Sequence, residues 1–313
     1  MISILIPAYN GEKYIGACLD SIMKQSSNDY EVVIVDDGST DRTYNICESY
    51  KNIGDIKLYS RPNKGVTFTR NELVKLANYD YFIFLDCDDI LHYDTVKNLN
   101  NIINYNRCDT VLFDIKQFSQ GFSFESIDCI EKYSTQKAIN DFLTLERRGY
   151  IAGVLINKKK WNALQIEFEL EKYVEDWFPM YFYVANSEDI YYIHANLYFY
   201  RQFDDSAIST SNLGVIKNYN RARLDIYRYT EKYLNIEKKY LCCFRVKTDL
   251  DILHEIFKID KSKFYTLSSK FSCGYEKIFN VLKNKNLLLK EKIIYLFFKI
   301  RIYRVFKYFH NKI

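Results

Sequence analysis

Short apolar runs alternate with stretches of helical spacing through the first part of the chain. Ile2–Ile6 is apolar and ends at Pro7, the pattern of a buried strand. Glu12–Lys24 places Ile15, Leu19 and Ile22 at helical spacing. Tyr30–Val35 is a β-branched run stopped by Asp36-Asp37-Gly38, and Ser39, Thr40 or Asp41 is placed to cap a helix running toward Tyr50. Asp55–Ser60 is a third predicted strand, Val66–Leu76 a helix and Tyr81–Leu85 a buried strand. Strands separated by helices pair in parallel through right-handed crossovers, so the pattern predicts a doubly wound α/β sheet. Ligands of such sheets sit at the carboxyl ends of the strands. Polar clusters fall there: Pro7–Asn10 after the first strand, Asp36–Ser39 after the second, Asp86–Asp89 after the fourth.

The middle is less regular. Thr135–Leu145 and Glu175–Ala185 read as helices and Ile151–Asn157 as extended. Ile190–Ile193 and Leu197–Arg201 read as two short strands of a hairpin. Beyond roughly residue 210, Lys-, Tyr- and Leu-rich helical stretches follow without Pro. The expected organisation is one α/β domain over residues 1–210 and a helical region over 211–313, with no low-complexity linker between them.

Composition narrows the function. The 313 residues are 48% apolar, enough for a substantial core, and a net charge of +4 argues against a dedicated nucleic-acid binder. The eight Cys show no zinc-ligand spacing, and the start MISILIPAYN lacks the basic segment of a secretion signal. Reduced thiols in a cytoplasm are the expectation. The strongly apolar stretches Tyr81–Leu85 and Ile293–Phe298 are far too short to span a bilayer.

Asp86-Cys87-Asp88-Asp89 directly follows an apolar strand. Clustered carboxylates repel one another unless a cation or donors compensate, and hard oxygen ligands suit Mg2+ or Mn2+ held together with substrate phosphates. The plainer reading is a solvated turn and helix cap. Asp36-Asp37-Gly38-Ser39 offers carboxylates to a base or ribose, or simply a tight turn. Asn63-Lys64-Gly65 and then Arg70 give a turn followed by a guanidinium suited to phosphate.

Taken in order, SILIPAYNGEKYI, VVIVDDGSTD, NKGVTFTRN and FIFLDCDD closely resemble glycosyltransferase family 2, the inverting enzymes of GT-A fold. The resemblance is close over residues 2–90 and weaker to about residue 210. It implies a Rossmann-like, mixed but mainly parallel sheet flanked by helices, here with a C-terminal helical appendage. It further implies that Pro7, Tyr9 and Asp37 hold the nucleotide base, with Asp36 beside them and Asn63 and Arg70 near the donor. Asp86-Cys87-Asp88 matches the DxD motif, with Asp86 facing ribose or metal, Asp88 binding the metal and Asp89 a further candidate ligand. Glu175-Asp176, in YVEDWFPM, looks like the family's ED motif, where the Asp is the general base. Tyr198–Arg201 followed by Ser206 resembles the segment that closes over the donor diphosphate, which makes Arg201 a phosphate contact. Many members carry a His between that Arg and Ser. QFDDSAIS has Phe203, Asp204 and Asp205 instead, so a His ligand to the metal is not expected. Trp161 and Trp177 are candidates for an acceptor cleft or for the core.

The resemblance thus implies transfer from a nucleotide-sugar, in most members a UDP-sugar, to a glycan or lipid-linked glycan in bacterial surface polysaccharide assembly, with Mn2+ or Mg2+. A silent relative that only binds is disfavoured by the intact acidic motifs. A nucleotidyltransferase is disfavoured because no Gly-rich phosphate loop lies near the N-terminus. In the tail, Ile294, Phe298, Ile302, Val305, Phe306 and Phe309 share one helical face opposite Lys292, Arg304 and Lys307. That face suits either an anionic lipid surface at the inner face of the plasma membrane or packing on the protein or a second copy.

Overall fold

The structure is a computed structural model that describes residues 1–299 apart from 53, 120, 122, 125–128, 148–149, 170–173, 203–212, 261–263 and 272–275. Two compact units emerge: Met1–Ala138 with Tyr150–Ser206, and Ile139–Gly149 with Ala207–Ile313.

In the first unit the chain runs β1 (Ile2–Ala8), α1 (Ile15–Met23), β2 (Tyr30–Asp36), α2 (Thr43–Tyr50), β3 (Ile56–Ser60), α3 (Val66–Leu76) and β4 (Tyr81–Phe84). It continues with β5 (Ile90–Leu91), α4 (Thr95–Tyr105), β6 (Thr110–Phe118) and β7 (Ile130–Tyr133). Then α5 (Thr135–Leu143) leads out of the unit, and β8 (Val154–Asn157), α6 (Lys158–Ala163), α7 (Trp177–Ala185) and β9 (Ile190–Arg201) complete it. Among the described residues the sheet has nine strands in the order β3-β2-β1-β4-β8-β6-β9-β5, with β7 also on β9. Pairing is parallel through β3-β2-β1-β4 and between β6 and β9, and antiparallel where β8, β5 and β7 join.

β1 and β2 read as unbroken apolar runs because both faces of the sheet are covered. Alternate residues then serve two separate clusters. Ile4, Ile6, Val32 and Ile34 pack with Ile15 and Leu19 of α1 and Leu99 of α4, whereas Leu5, Val33 and Val35 pack with Leu73 of α3 and Met180 of α7. Trp161 belongs to this second core, edge-on to Phe82 at 5.9 Å and tilted on Phe168 at 5.4 Å, and Trp177 is buried too. Both indoles are thus buried, as the core alternative of the sequence expects.

The expected hairpin over 190–201 is also corrected. Ile190–Arg201 is one 12-residue strand along β6. The polar interruption at His194 and Asn196 is a bulge, where the register against β6 shifts on either side of Asp114.

The second unit is helical in its described residues: α8 (Leu213–Tyr233), α9 (Lys238–Ile259), α10 (Phe264–Lys270), α11 (Ile278–Lys283) and α12 (Leu289–Lys299). Its apolar core gathers Ile216, Ile252, Ile256, Phe264 and Phe298, with Ile294 against it. Arg223 and Asp249 form a fully buried ion pair inside it. No described helix is long and apolar enough to cross a membrane. Of the tail's predicted face, Ile294 and Phe298 thus pack inward. Ile302, Arg304, Val305, Phe306, Lys307 and Phe309 lie outside the described residues.

Candidate active site

The parallel register sets the ends of β1, β2 and β4 side by side: Ala8 lies opposite Asp36, and Leu5 opposite Phe84. Two acidic clusters emerge at this edge.

The first is built around Asp37. Its Oδ1 accepts the Lys64 N–H at 2.8 Å and its Oδ2 the Gly65 N–H at 2.8 Å, while Arg61 forms an ion pair with it. Arg61 also reaches Glu72 at 2.7 Å and the Thr69 hydroxyl at 2.9 Å, and lies over the Phe68 ring. Asp36 accepts the Ser60 hydroxyl at 3.0 Å. Gly38 has φ +74°, and a Cβ there would sit 2.8 Å from the Asn63 backbone nitrogen, so only glycine lets the two loops approach. Asn63 is exposed on that approaching loop. Pro7 is buried within β1 opposite Val35, whereas Tyr9, just past the strand, is 50% exposed.

The second cluster follows β4. Asp86 keeps a third of its side chain exposed and accepts from Arg70 Nη2 at 3.1 Å. Arg70 is buried, and its other terminal nitrogen pairs with Glu175. Burial opposes the Arg70 charge, but Asp86, Glu175 and Asp176 outweigh it and push its proton affinity further up. Among the described residues its Nε has no hydrogen-bond partner. Glu175-Asp176 reaches the site because the chain turns at Val174, a β-branched residue with φ +62°. Asp176 then precedes α7 and accepts the Ile151 N–H at 2.9 Å. Burial raises the proton affinity of both Glu175 and Asp176, against the pull of Arg70.

Asp88 and Asp89 diverge. Asp89 is fully buried and turned inward; it accepts the Tyr198 hydroxyl at 2.6 Å and the Arg201 N–H at 2.8 Å. Burial, then Asp86 and Asp88, push its carboxyl up. Asp89 thereby bolts β9 beside the motif, and β5, which follows it, pairs with Tyr198 and Phe199. Asp88 is only partly buried. Burial, then the Asp86 charge, push its carboxyl up to about 6, with Arg201 opposing. Arg201 donates from Nε to the Asp88 carbonyl at 2.8 Å, its guanidinium between the Tyr14 and Phe118 rings.

Among the described residues, no group of three or more His, Cys, Asp or Glu side chains is arranged to hold a metal ion. The site nonetheless gathers five carboxyls (Asp86, Asp88, Asp89, Glu175, Asp176) around two guanidiniums, Arg70 and Arg201. Burial first, and the Asp86 charge second, raise the Asp88 carboxyl; two partly exposed carboxylates fit a hard cation that completes its shell with phosphate and water. Asp204 and Asp205, in the segment that lacks the expected His, lie outside the described residues.

Sequence reading missed Arg61 and the hydroxyl of Tyr198, which also accepts the Asp86 N–H at 3.1 Å. Arg61 carries no local signal, because its partners Asp37, Glu72 and Thr69 meet only after β2, β3 and α3 assemble.

Comparison with known proteins gives a consistent picture. The family described as Glycosyl transferase family 2 matches residues 3–161. Glycosyltransferase GlyG of Streptococcus pneumoniae serotype 4 is 26% identical over 223 residues, 67% of this chain and 73% of that protein. The poly(ribitol-phosphate) beta-N-acetylglucosaminyltransferase TarS of Staphylococcus aureus is 36% identical over 118 residues, which span 36% of this chain but only 21% of TarS. The crystal structure of TarS residues 1–349 with UDP-GlcNAc superposes with a TM-score of 0.67 at 19% identity, covering 99% of this chain and 91% of that one. A mannosyltransferase from Pyrobaculum calidifontis, in complex with GDP-Man and Mn2+, superposes with a TM-score of 0.53 at 13% identity, covering 96% of this chain and 86% of that one.

Proposed function

This chain belongs to glycosyl transferase family 2 and is a glycosyltransferase; from that premise we propose that it moves a sugar from a UDP-sugar to a hydroxyl of a glycan or lipid-linked glycan, with inversion. Bacterial surface polysaccharide assembly is the proposed setting. The complex of TarS with UDP-GlcNAc supports the donor class. The described cysteines are all free, which supports a reducing cytoplasm as the compartment.

The observation that carries the reading is Arg70. One buried guanidinium ties Asp86, 16 residues away, to Glu175, 105 residues away, and so joins the strand-end acids to the acidic pair before α7. In the proposed mechanism Asp37 and Arg61 fix the 61–65 loop against the strand ends, forming with Tyr9 the floor for the uracil. Asp86 and Asp88 would hold Mn2+ or Mg2+, which would supply positive charge to the departing diphosphate. Arg201 contacts that diphosphate from the other side. Asp176 takes the acceptor proton as the hydroxyl attacks the anomeric carbon in line. A carboxyl with raised proton affinity is a better base at neutral pH than a solvated one. Glu175 acts through Arg70 as a positioning residue.

The test is release of nucleoside diphosphate from a panel of UDP-, GDP- and dTDP-sugars with Mn2+, in the presence of candidate acceptors, on wild type and Asp176→Asn. The expected result is turnover of at least one donor by wild type and a loss of about 10²–10⁴-fold in Asp176→Asn with donor affinity kept. Undiminished turnover by Asp176→Asn removes the base assignment. Turnover of GDP- or dTDP-sugars alone removes the UDP assignment.

A further inference from the structure

The second unit presents an apolar patch that the transferase reading does not use. On α11, Ile278, Phe279 and Leu282 are exposed, Phe279 by 64%. On α12 and the turn before it, Leu288, Leu289 and Ile293 are exposed, Leu289 by 74%. Helical spacing puts Phe279 with Leu282, and Leu289 with Ile293, on shared faces. The two helices adjoin, because Lys292 of α12 donates to the Leu282 carbonyl of α11 at 3.0 Å. Buried neighbours Val281, Leu287, Tyr295 and Phe298 anchor both helices from beneath, so the exposed set is not the unit's own core left open.

The charges around the patch are of one sign. Residues 276–299 carry six Lys and two carboxylates, Glu276 and Glu291. Both acids turn to cations of α9, Glu276 to Arg245 at 3.9 Å and Glu291 to Lys247 at 3.7 Å. Lys277, Lys283, Lys285 and Lys290 remain exposed at the rim, and Lys283 lies over the Phe279 ring. Large apolar side chains ringed by ammonium groups match the boundary of an anionic bilayer, where rings and leucines enter the acyl edge and lysines meet headgroup phosphates.

We propose that α11 and α12 form a peripheral docking surface for a membrane bearing anionic lipid. The surface differs from the face read in the sequence, since Ile294 and Phe298 are spent on the unit's core. The patch is complete within residues 277–293.

Sedimentation of the full chain with vesicles tests this without any substrate, so its outcome is separate from that of the transferase assignment. Wild type is expected to bind phosphatidylcholine vesicles containing one-third phosphatidylglycerol at least about tenfold more tightly than phosphatidylcholine alone. Replacing Phe279, Leu282, Leu289 and Ile293 by Ser removes binding to both, with melting temperature and donor turnover in solution unchanged. Lys285→Glu with Lys290→Glu, which leaves every apolar side chain of the patch in place, abolishes the preference for anionic lipid. Tyr105→Ser, at an exposed ring in the first unit, changes nothing. Binding that survives the four Ser substitutions overturns the proposal, as does binding indifferent to lipid charge. Self-association of wild type without vesicle binding, lost in the Ser variant, overturns it in favour of a second copy.

Discussion

Two acidic clusters sit side by side at the carboxyl ends of the parallel strands β1, β2 and β4, and they are built on opposite principles. At the end of β2, Asp37 is 3% exposed and takes two backbone N–H groups and a guanidinium. Past β4, Asp86 and Asp88 remain partly exposed, and Asp88 is driven up to about 6 by burial and by its neighbour. A carboxylate surrounded by donors holds the protein together. Carboxylates gathered with too few donors weaken the free protein and hold a site in readiness for a cation and phosphates. Asp89 belongs with Asp37 in this division, although its sequence position groups it with Asp88.

The contrast can be broken by substitution. The largest expected effect is on turnover: Asp88→Asn lowers it by about 10²-fold or more, as for loss of a charge-stabilising group, while leaving the melting temperature without ligand equal or higher. Asp37→Ala should act in reverse. It leaves two N–H groups without their acceptor and removes one of the two carboxylates paired with Arg61, at a cost of about 2–4 kcal/mol of stability, read as the shift in denaturant midpoint. Gly38→Ala forces a side chain into a left-handed backbone against the Asn63 nitrogen; the expected loss is about 1–3 kcal/mol, measured the same way.

A third carboxylate sharpens the comparison by pH. Glu31, at the start of β2, is fully buried and accepts from Lys57, the Ser3 hydroxyl and the Asn78 N–H, each at 2.6 Å. Burial alone would raise its pKa, but these partners outweigh burial and lower it below its usual 4.5. A depressed native pKa means the stability is fully present above about 4.5 and is lost as pH falls through the lower native value. Midpoints measured between pH 7 and pH 3 should therefore decline at the acid end, and Glu31→Gln should flatten that decline.

Much of the first unit was legible because its signals are local. β1, β2, β3, α3 and β4 follow from apolar runs and their stops, and Val66–Leu76 was read to the residue. Residues past 90 were harder. β5 is two residues long, and β6 carries Asp114 at a bulge that blurs its period. In β9, the same bulge disguised one strand as two. The acidic motifs announced a site, yet which carboxylate faces outward depended on partners distant in sequence. Tyr198 and Arg201 turn Asp89 inward, from 109 and 112 residues away. Within DCDD only the resemblance to DxD sets Asp88 ahead of Asp89, and it leaves Asp89 a further candidate ligand that the structure turns inward.

We propose that Asp86 and Asp88 are kept for a ligand while Asp37 is committed to the fold. It is tested most directly by melting temperature for wild type, Asp88→Asn and Asp37→Ala, each alone and with UDP plus Mn2+. The account predicts that Asp88→Asn melts no lower than wild type when alone and shows no Mn2+-dependent shift with UDP, while Asp37→Ala melts well below both. An Asp88→Asn protein destabilised as much as Asp37→Ala, yet still shifted in full by UDP and Mn2+, would contradict it.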